Sequence, residues 1–297
     1  MSGTQISHAA APAVRRIPGV LVAAFFCLVF PHLLTAQSFG VVRSSLSLYD
    51  VANRNPATAQ LPGELREISG LACDGRGRVF CHNDEQAVVF QIDPVRGRIL
   101  EQFSVGDRTF RRDFEGIAVA DSIMFLVTSD GTLYEFTRTP SGGRAAARTY
   151  ATGLGSGWDI EGLCYDPATR SLLIACKENP REKRLRHVYA FSLKSRGLLQ
   201  SPRFVLDIQK IEKNAKIKDF RPSAIERHPA SGTFFILSSS EPAILELSPS
   251  GELLAAVRLP DSIHRQPEGL TFDGDLTLYI SNEGKNHGTV SRYPRTR

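Results

Sequence analysis

A five-residue phrase returns five times along this chain of 297 residues: Glu67-Ile-Ser-Gly-Leu71, Asp113-Phe-Glu-Gly-Ile117, Asp159-Ile-Glu-Gly-Leu163, Arg221-Pro-Ser-Ala-Ile225 and Gln266-Pro-Glu-Gly-Leu270. Aligned on the small residue (Gly70, Gly116, Gly162, Ala224, Gly269), the copies lie 46, 46, 62 and 45 residues apart. A period of roughly 40–50 residues made of short strands marks a propeller, one four-stranded blade per repeat. Three copies carry Glu just before the small residue. A carboxylate at the same point of several blades is a carboxylate gathered around one axis.

Between the phrases the chain reads as short apolar or alternating runs bounded by Gly, Pro, Asp and Ser, as strands do. Blade one takes 68–73, 79–82, 88–92 and 99–105; blade two 116–119, 124–128, 133–137 and 148–151. Blade three takes 162–165, 172–176, 188–193 and 204–208; blade four 224–227, 234–238, 244–247 and 253–259. The one helical hint is a turn at 208–214. Only 28 residues follow Gly269, enough for three strands at 270–272, 278–281 and 290–293. Closing the ring removes exposed sheet edges, so the strand-like run 41–51 is expected to supply the missing outer strand. The fold class is therefore all-β, a five-bladed propeller closed by an N-terminal strand. Six blades, the alternative, need a repeat that the chain lacks.

The first 37 residues differ in kind. Arg15 and Arg16 precede an apolar run at 17–34, and small residues follow near Ala36. Positive start, apolar centre and small-residue exit describe a secretory signal peptide, or an anchor if uncleaved. The expected organisation is an export segment at 1–36, an N-terminal segment with the closing strand at 37–60, and the propeller at 61–297. The protein is expected in the periplasm, cell envelope or extracellular space as a monomer, touching a membrane only through an uncleaved N-terminus. Without Arg15 and Arg16, 34 basic residues face 31 acids. So small an excess, with no nucleic-acid-binding motif, argues against a nucleic-acid partner. Cys73, Cys81, Cys164 and Cys176 invite disulfides in an exported chain, but on strands they serve equally well as small core hydrophobes.

Blade geometry places the acids. Each phrase leads into an innermost strand, so its Glu sits at the mouth of the central channel, and the second strand returns to that mouth. There stand His82-Asn83-Asp84-Glu85, Ser129-Asp130-Gly131, Lys177-Glu178-Asn179, Ser240-Glu241-Pro242 and Asn282-Glu283-Gly284. From the Glu or Ser of each phrase to the next acid is 15, 15, 17, 18 and 15 residues. The metal-ligand candidates are Glu67, Asp84, Glu115, Asp130, Glu161, Glu178, Glu268 and Glu283. Clustered carboxylates raise one another's pKa or demand a hard cation with oxygen ligands, and calcium suits an exported protein. Zinc wants His and Cys at set spacings, which are absent. The blander reading makes these acids mortar between blades or ordinary turn residues. Glu67 is placed to compensate for Ser69 in blade one, and blade four, with Arg221 and Ser223, is expected to leave the site open. Glu246 reads as an outer-strand acid.

These residues carry a resemblance. Glu-Ile-Ser-Gly-Leu-Ala, Asn-Asp-Glu, Asp-Phe-Glu-Gly-Ile-Ala, Glu-Gly-Leu-x-Tyr-Asp-Pro, Lys-Glu-Asn-Pro and Gln-Pro-Glu-Gly-Leu-Thr-Phe-Asp are similar to the SdiA-regulated family of bacterial envelope proteins, over about residues 60–297. The resemblance implies a five-bladed propeller with a calcium site, distantly similar to NHL-repeat propellers. Ala224 in place of Gly is a mild departure.

Two functions fit. One is a calcium-bound module holding a small ligand or an envelope partner at the mouth. The other is a calcium-dependent hydrolase (lactonase, esterase-like or phytase-like), its ion polarising a carbonyl or phosphoryl oxygen, with His82, His264 or His287 as general base and the basic stretches 181–187 and 210–218 attracting an anionic substrate. No Gly-x-Ser-x-Gly elbow is present, which argues against a serine hydrolase.

Overall fold

Each repeated phrase opens the innermost strand of an antiparallel sheet, and five such sheets follow one another around an axis. The computed structural model describes residues 43–108 and 110–296. The stretch 1–36, expected from sequence to direct export, therefore lies outside the described residues. Among these, no helix is long and apolar enough to cross a membrane. The inner strands are Ile68–Cys73, Phe114–Ala120, Ile160–Asp166, Pro222–Arg227 and Pro267–Phe272. Each pairs with the next strand in sequence: Val79–Asn83, Ile123–Thr128, Ser171–Cys176, Phe234–Ser238 and Leu278–Asn282. The protein is a five-bladed β-propeller.

Burial explains the strand pattern. Each blade is covered on both faces by its neighbours, so its inner two strands are buried almost throughout rather than alternating, while the outer strands are more exposed. The core divides into five wedges, one at each blade boundary, such as Phe80, Phe103, Phe114 and Phe136 between blades one and two. The four cysteines are free thiols, three of them buried within these wedges.

Ring closure differs from the expectation. The strand completing blade five is Ala57–Gln60, paired antiparallel with Thr289–Tyr293. Residues 43–51 form no strand. Within them Leu46–Leu48 is a single 3-10 turn, and Leu46, Tyr49 and Val51 sink into the wedge between blades four and five. The reason is Glu246. Its fully buried carboxylate accepts from Ser44 Oγ (2.5 Å), Ser45 N (2.9 Å), Leu46 N (2.8 Å) and Thr233 Oγ1 (2.7 Å). Tyr49 Oη lies 2.9 Å from His228 Nε2. The segment is a strap, and Glu246 is its fastening rather than an exposed outer-strand acid.

The turn anticipated at 208–214 is an α-helix, Ile208–Ala215, started by Asp207, whose Oδ1 accepts from Gln209 N and Lys210 N. It buries Ile211 between blades three and four.

The small residue of the phrase answers to blade spacing. A Cβ on Gly269 would stand 2.8 Å from Leu71 N of blade one, and on Gly116 2.8 Å from Leu163 Cβ of blade three. Blade four already carries a Cβ there, as Ala224. Gly269→Ala is therefore expected to cost about 1–3 kcal/mol through overpacking, whereas Ala224→Gly costs about 0.5–1 kcal/mol of strand propensity. Chemical denaturation of both variants checks the order; equal midpoints would refute it.

Candidate functional site

All five inner strands carry a β-bulge at the same step, between Ile68 and Gly70, Phe114 and Gly116, Ile160 and Gly162, Pro222 and Ala224, and Pro267 and Gly269. The residue left out of the ladder is Ser69, Glu115, Glu161, Ser223 or Glu268. Bulges re-aim side chains, and here four of the five, Ser69, Glu115, Glu161 and Glu268, line one narrow cavity of about 10 Å³ on the channel axis. That is room for a single water-sized sphere or ion.

A second ring lies above it, set by backbone register. Asp84 N, Ser129 N, Lys177 N and Glu283 N donate to the carbonyls of Glu67 (3.2 Å), Asp113 (2.9 Å), Asp159 (2.7 Å) and Gln266 (3.0 Å). In blade four Pro222 faces Ser238, which puts Ser239 at the equivalent place. The ring reads Asp84, Ser129, Lys177, Ser239, Glu283. Counting to the next acid overshoots by one residue in blades two and three. Asp130 is turned into its own loop, its Oδ1 accepting from Thr128 Oγ1 (2.6 Å), Thr132 N (3.2 Å) and Thr132 Oγ1 (3.1 Å). Glu178 pairs with Arg221 Nη1 (2.8 Å) and faces Arg186 Nη2 (3.9 Å). Register, not spacing, would have revealed Ser129, Lys177 and Ser239.

The acids of the two rings are short of solvent. Glu161 and Glu268 are each only 6% exposed. Burial, then Glu161 and Asp113, push the Glu115 carboxyl up to about 10, although Ser69 Oγ donates to it (3.0 Å). Burial raises Glu161 to about 7 against the pull of Lys177, whose Nζ stands 2.6 Å from its Oε1. Burial, then Asp84 and Glu67, lift Glu283 to about 7. Burial, then Glu67, Glu85 and Asp113, lift Asp84 to about 6. Glu268 is raised well above the carboxylate range by burial, then Glu161 and Glu283. The Ser239 hydroxyl helps it, but Glu268 Oε2 has no partner, nor does Asp84 Oδ1. Carboxyls held together out of water either keep their protons, as these raised values describe, or take up a cation.

These donors fit a hard ion: all are oxygens, and two buried oxygens, Glu268 Oε2 and Asp84 Oδ1, are unpartnered. Yet among the described residues no three His, Cys, Asp or Glu side chains stand close enough together to hold a metal ion. The acids surround the cavity more widely than one coordination shell, with the Lys177 ammonium among them. Glu67 stands at the rim, paired with Arg66 (3.2 Å). Blade four is not open as expected, because Ser223 Oγ donates to Pro267 O (2.6 Å) and Arg221 is held by Asp219 and Glu178.

The histidines divide. His82 is fully buried behind Gly70, with Nδ1 at 3.0 Å from Asn83 O and Nε2 unpartnered. His264 is equally buried between Asn282 Oδ1 (2.9 Å) and Tyr293 Oη (2.6 Å). Burial drives both rings down to about 4, so neither is the solvent-facing base expected from sequence. His287 alone is exposed, in a cleft of about 610 Å³ shared with Glu67, Arg265, Gln266 and Glu283. Of the two basic stretches, 181–187 turns Arg186 inward at 3% exposure, and 210–218 is largely helix.

One solved structure supports this architecture. The glutaminyl cyclase of Myxococcus xanthus superposes with a TM-score of 0.56 at 14% identity, covering 82% of this chain and all of that one. A luciferin-regenerating enzyme gives a TM-score of 0.46 at 11% identity, covering 82% of this chain and 98% of that one. No curated protein matches. The family described as SdiA-regulated matches residues 47–286, which span every blade. The chain belongs to the SdiA-regulated family.

Proposed function

We propose that this is an exported, calcium-binding propeller that holds a small ligand or an envelope partner at the acidic mouth of its channel. One observation carries the reading: the bulges deliver Glu115, Glu161 and Glu268 to a single ion-sized cavity, where Glu268 Oε2 is buried without a partner. Glu115, Glu161 and Glu268 are the ligands proposed, with Asp84 and Glu283 above them; to share one coordination shell they must draw in around the ion from the wider spacing seen here. Oxygen-only donors favour calcium over zinc. The ligand's place is the cleft of about 610 Å³ that adjoins the mouth through Glu67 and Glu283, a size typical of small-molecule sites. Holding is favoured over turnover because two of the three histidines proposed as bases are enclosed.

Calcium titrated calorimetrically into chelator-stripped protein is expected to bind at one site, with elemental analysis finding the ion in untreated protein. Glu268→Gln keeps the shape, removes the charge and should weaken binding at least about tenfold, since charge-assisted contacts are worth about 1.5–3 kcal/mol. Glu101→Gln, on an outer strand beside Arg138, should leave it unchanged. Glu246 is no neutral comparison, being the fastening of the strap. Absence of calcium from the native protein, with no binding heat, would leave the acids as mortar.

A further inference from the structure

Lys177 occupies the ring position held by Asp84 in blade one and Glu283 in blade five, where its backbone N–H makes the same bond. Its side chain is 28% exposed and enters the acid cluster, Nζ lying 2.6 Å from Glu161 Oε1 and 3.9 Å from Asp159 Oδ2. At that distance the ammonium and the buried Glu161 carboxylate form an ion pair inside the acid cluster. Two other basic side chains near the mouth have their own partners: Arg66 is on Glu67, Arg221 on Asp219 and Glu178. Glu268, whose Oε2 is unpartnered, also feels Lys177.

We infer that Lys177 is a tethered counter-ion that occupies the mouth in place of the divalent cation, so that the ion must displace its ammonium from Glu161 to bind. The inference rests on the proposed calcium site and goes beyond it, because it assigns a residue that sets the site's affinity. An ammonium in contact with a carboxylate repels a second cation arriving there. It also explains how the ion-free propeller tolerates three glutamates around one small cavity.

The test is calcium titration of chelator-stripped wild type, Lys177→Met and Lys177→Arg. Lys177→Met fills the same volume without charge and should bind calcium at least about tenfold more tightly. Lys177→Arg keeps the charge and should stay within about threefold of wild type. A second readout separates this from a merely structural role. In chelator Lys177→Met should melt below wild type, and the rise that calcium produces should be larger than in wild type. Lys177→Gln replaces the methionine variant if that one does not fold. Equal or weaker calcium binding by the uncharged variants, while wild type binds, would overturn the inference and leave the calcium site standing. No binding by any of the proteins would overturn both.

Discussion

A chain beginning at Leu61 is expected to melt roughly 10–20 °C below one beginning at Arg43, and to aggregate on heating. The strap buries Leu46, Tyr49 and Val51, at 1%, 4% and 2% exposure. Each such side chain contributes about 1.5–3 kcal/mol, and each kcal/mol shifts the melting of a chain this size by about 2–4 °C. Losing Ala57–Gln60 also uncovers the edge of Thr289–Tyr293, and a bare edge templates association. The single variant Glu246→Gln isolates the fastening. The amide keeps one acceptor and turns a donor toward groups that are donors themselves, at a cost of about 2–4 kcal/mol. Differential scanning calorimetry decides. A truncated chain that melts like the longer one would show the strap to be ornamental.

The second large effect joins calcium to pH. In chelator, stability should fall by about 3 kcal/mol between pH 7 and 8.5. Glu115, Glu161 and Glu283 are raised to about 10, 7 and 7, so the folded state keeps protons that the unfolded chain has already released. Stability from such groups is present at low pH and lost as pH rises through their folded values. Below about pH 6.5 the buried His82, His228 and His264, each lowered to about 4, act in the opposite sense and mask the acids. Saturating calcium holds the carboxylates ionised, so the slope should flatten. At a hundredfold over Kd it adds about 2.7 kcal/mol, or roughly 5–10 °C. Melting curves at pH 7 and 8.5 that superpose with and without calcium would remove the ion from the account.

The inner strands were legible because the phrase combines a bulge, a small residue forced by blade spacing and an apolar continuation. That conjunction recurs at a nearly constant interval. The closing strand was not legible. Ala57–Gln60 is mostly exposed and shows no apolar alternation, whereas 41–51 has apolar residues whose burial is set by a distant carboxylate, Glu246. At the site, counting found the lower ring outright, because Glu115, Glu161 and Glu268 are the bulged residues themselves. It missed the upper ring in blades two and three because an acid follows the true position in each, and only pairing separates Ser129 from Asp130 and Lys177 from Glu178. His82 and His264 read as mouth residues by their neighbours in sequence, yet their rings turn into the wall.

The clasp between Ala57–Gln60 and Thr289–Tyr293, together with the grip of Glu246 on Ser44, ties positions more than 200 residues apart. Contacts of such long sequence separation slow folding and delay it. A chain emerging from its N-terminus has no partner for either fastening until blades four and five have also emerged. The ring therefore stays unlatched through most of its own synthesis. Under the export proposed above, late latching would keep the chain threadable through a translocation pore, with the lock engaging only on the far side.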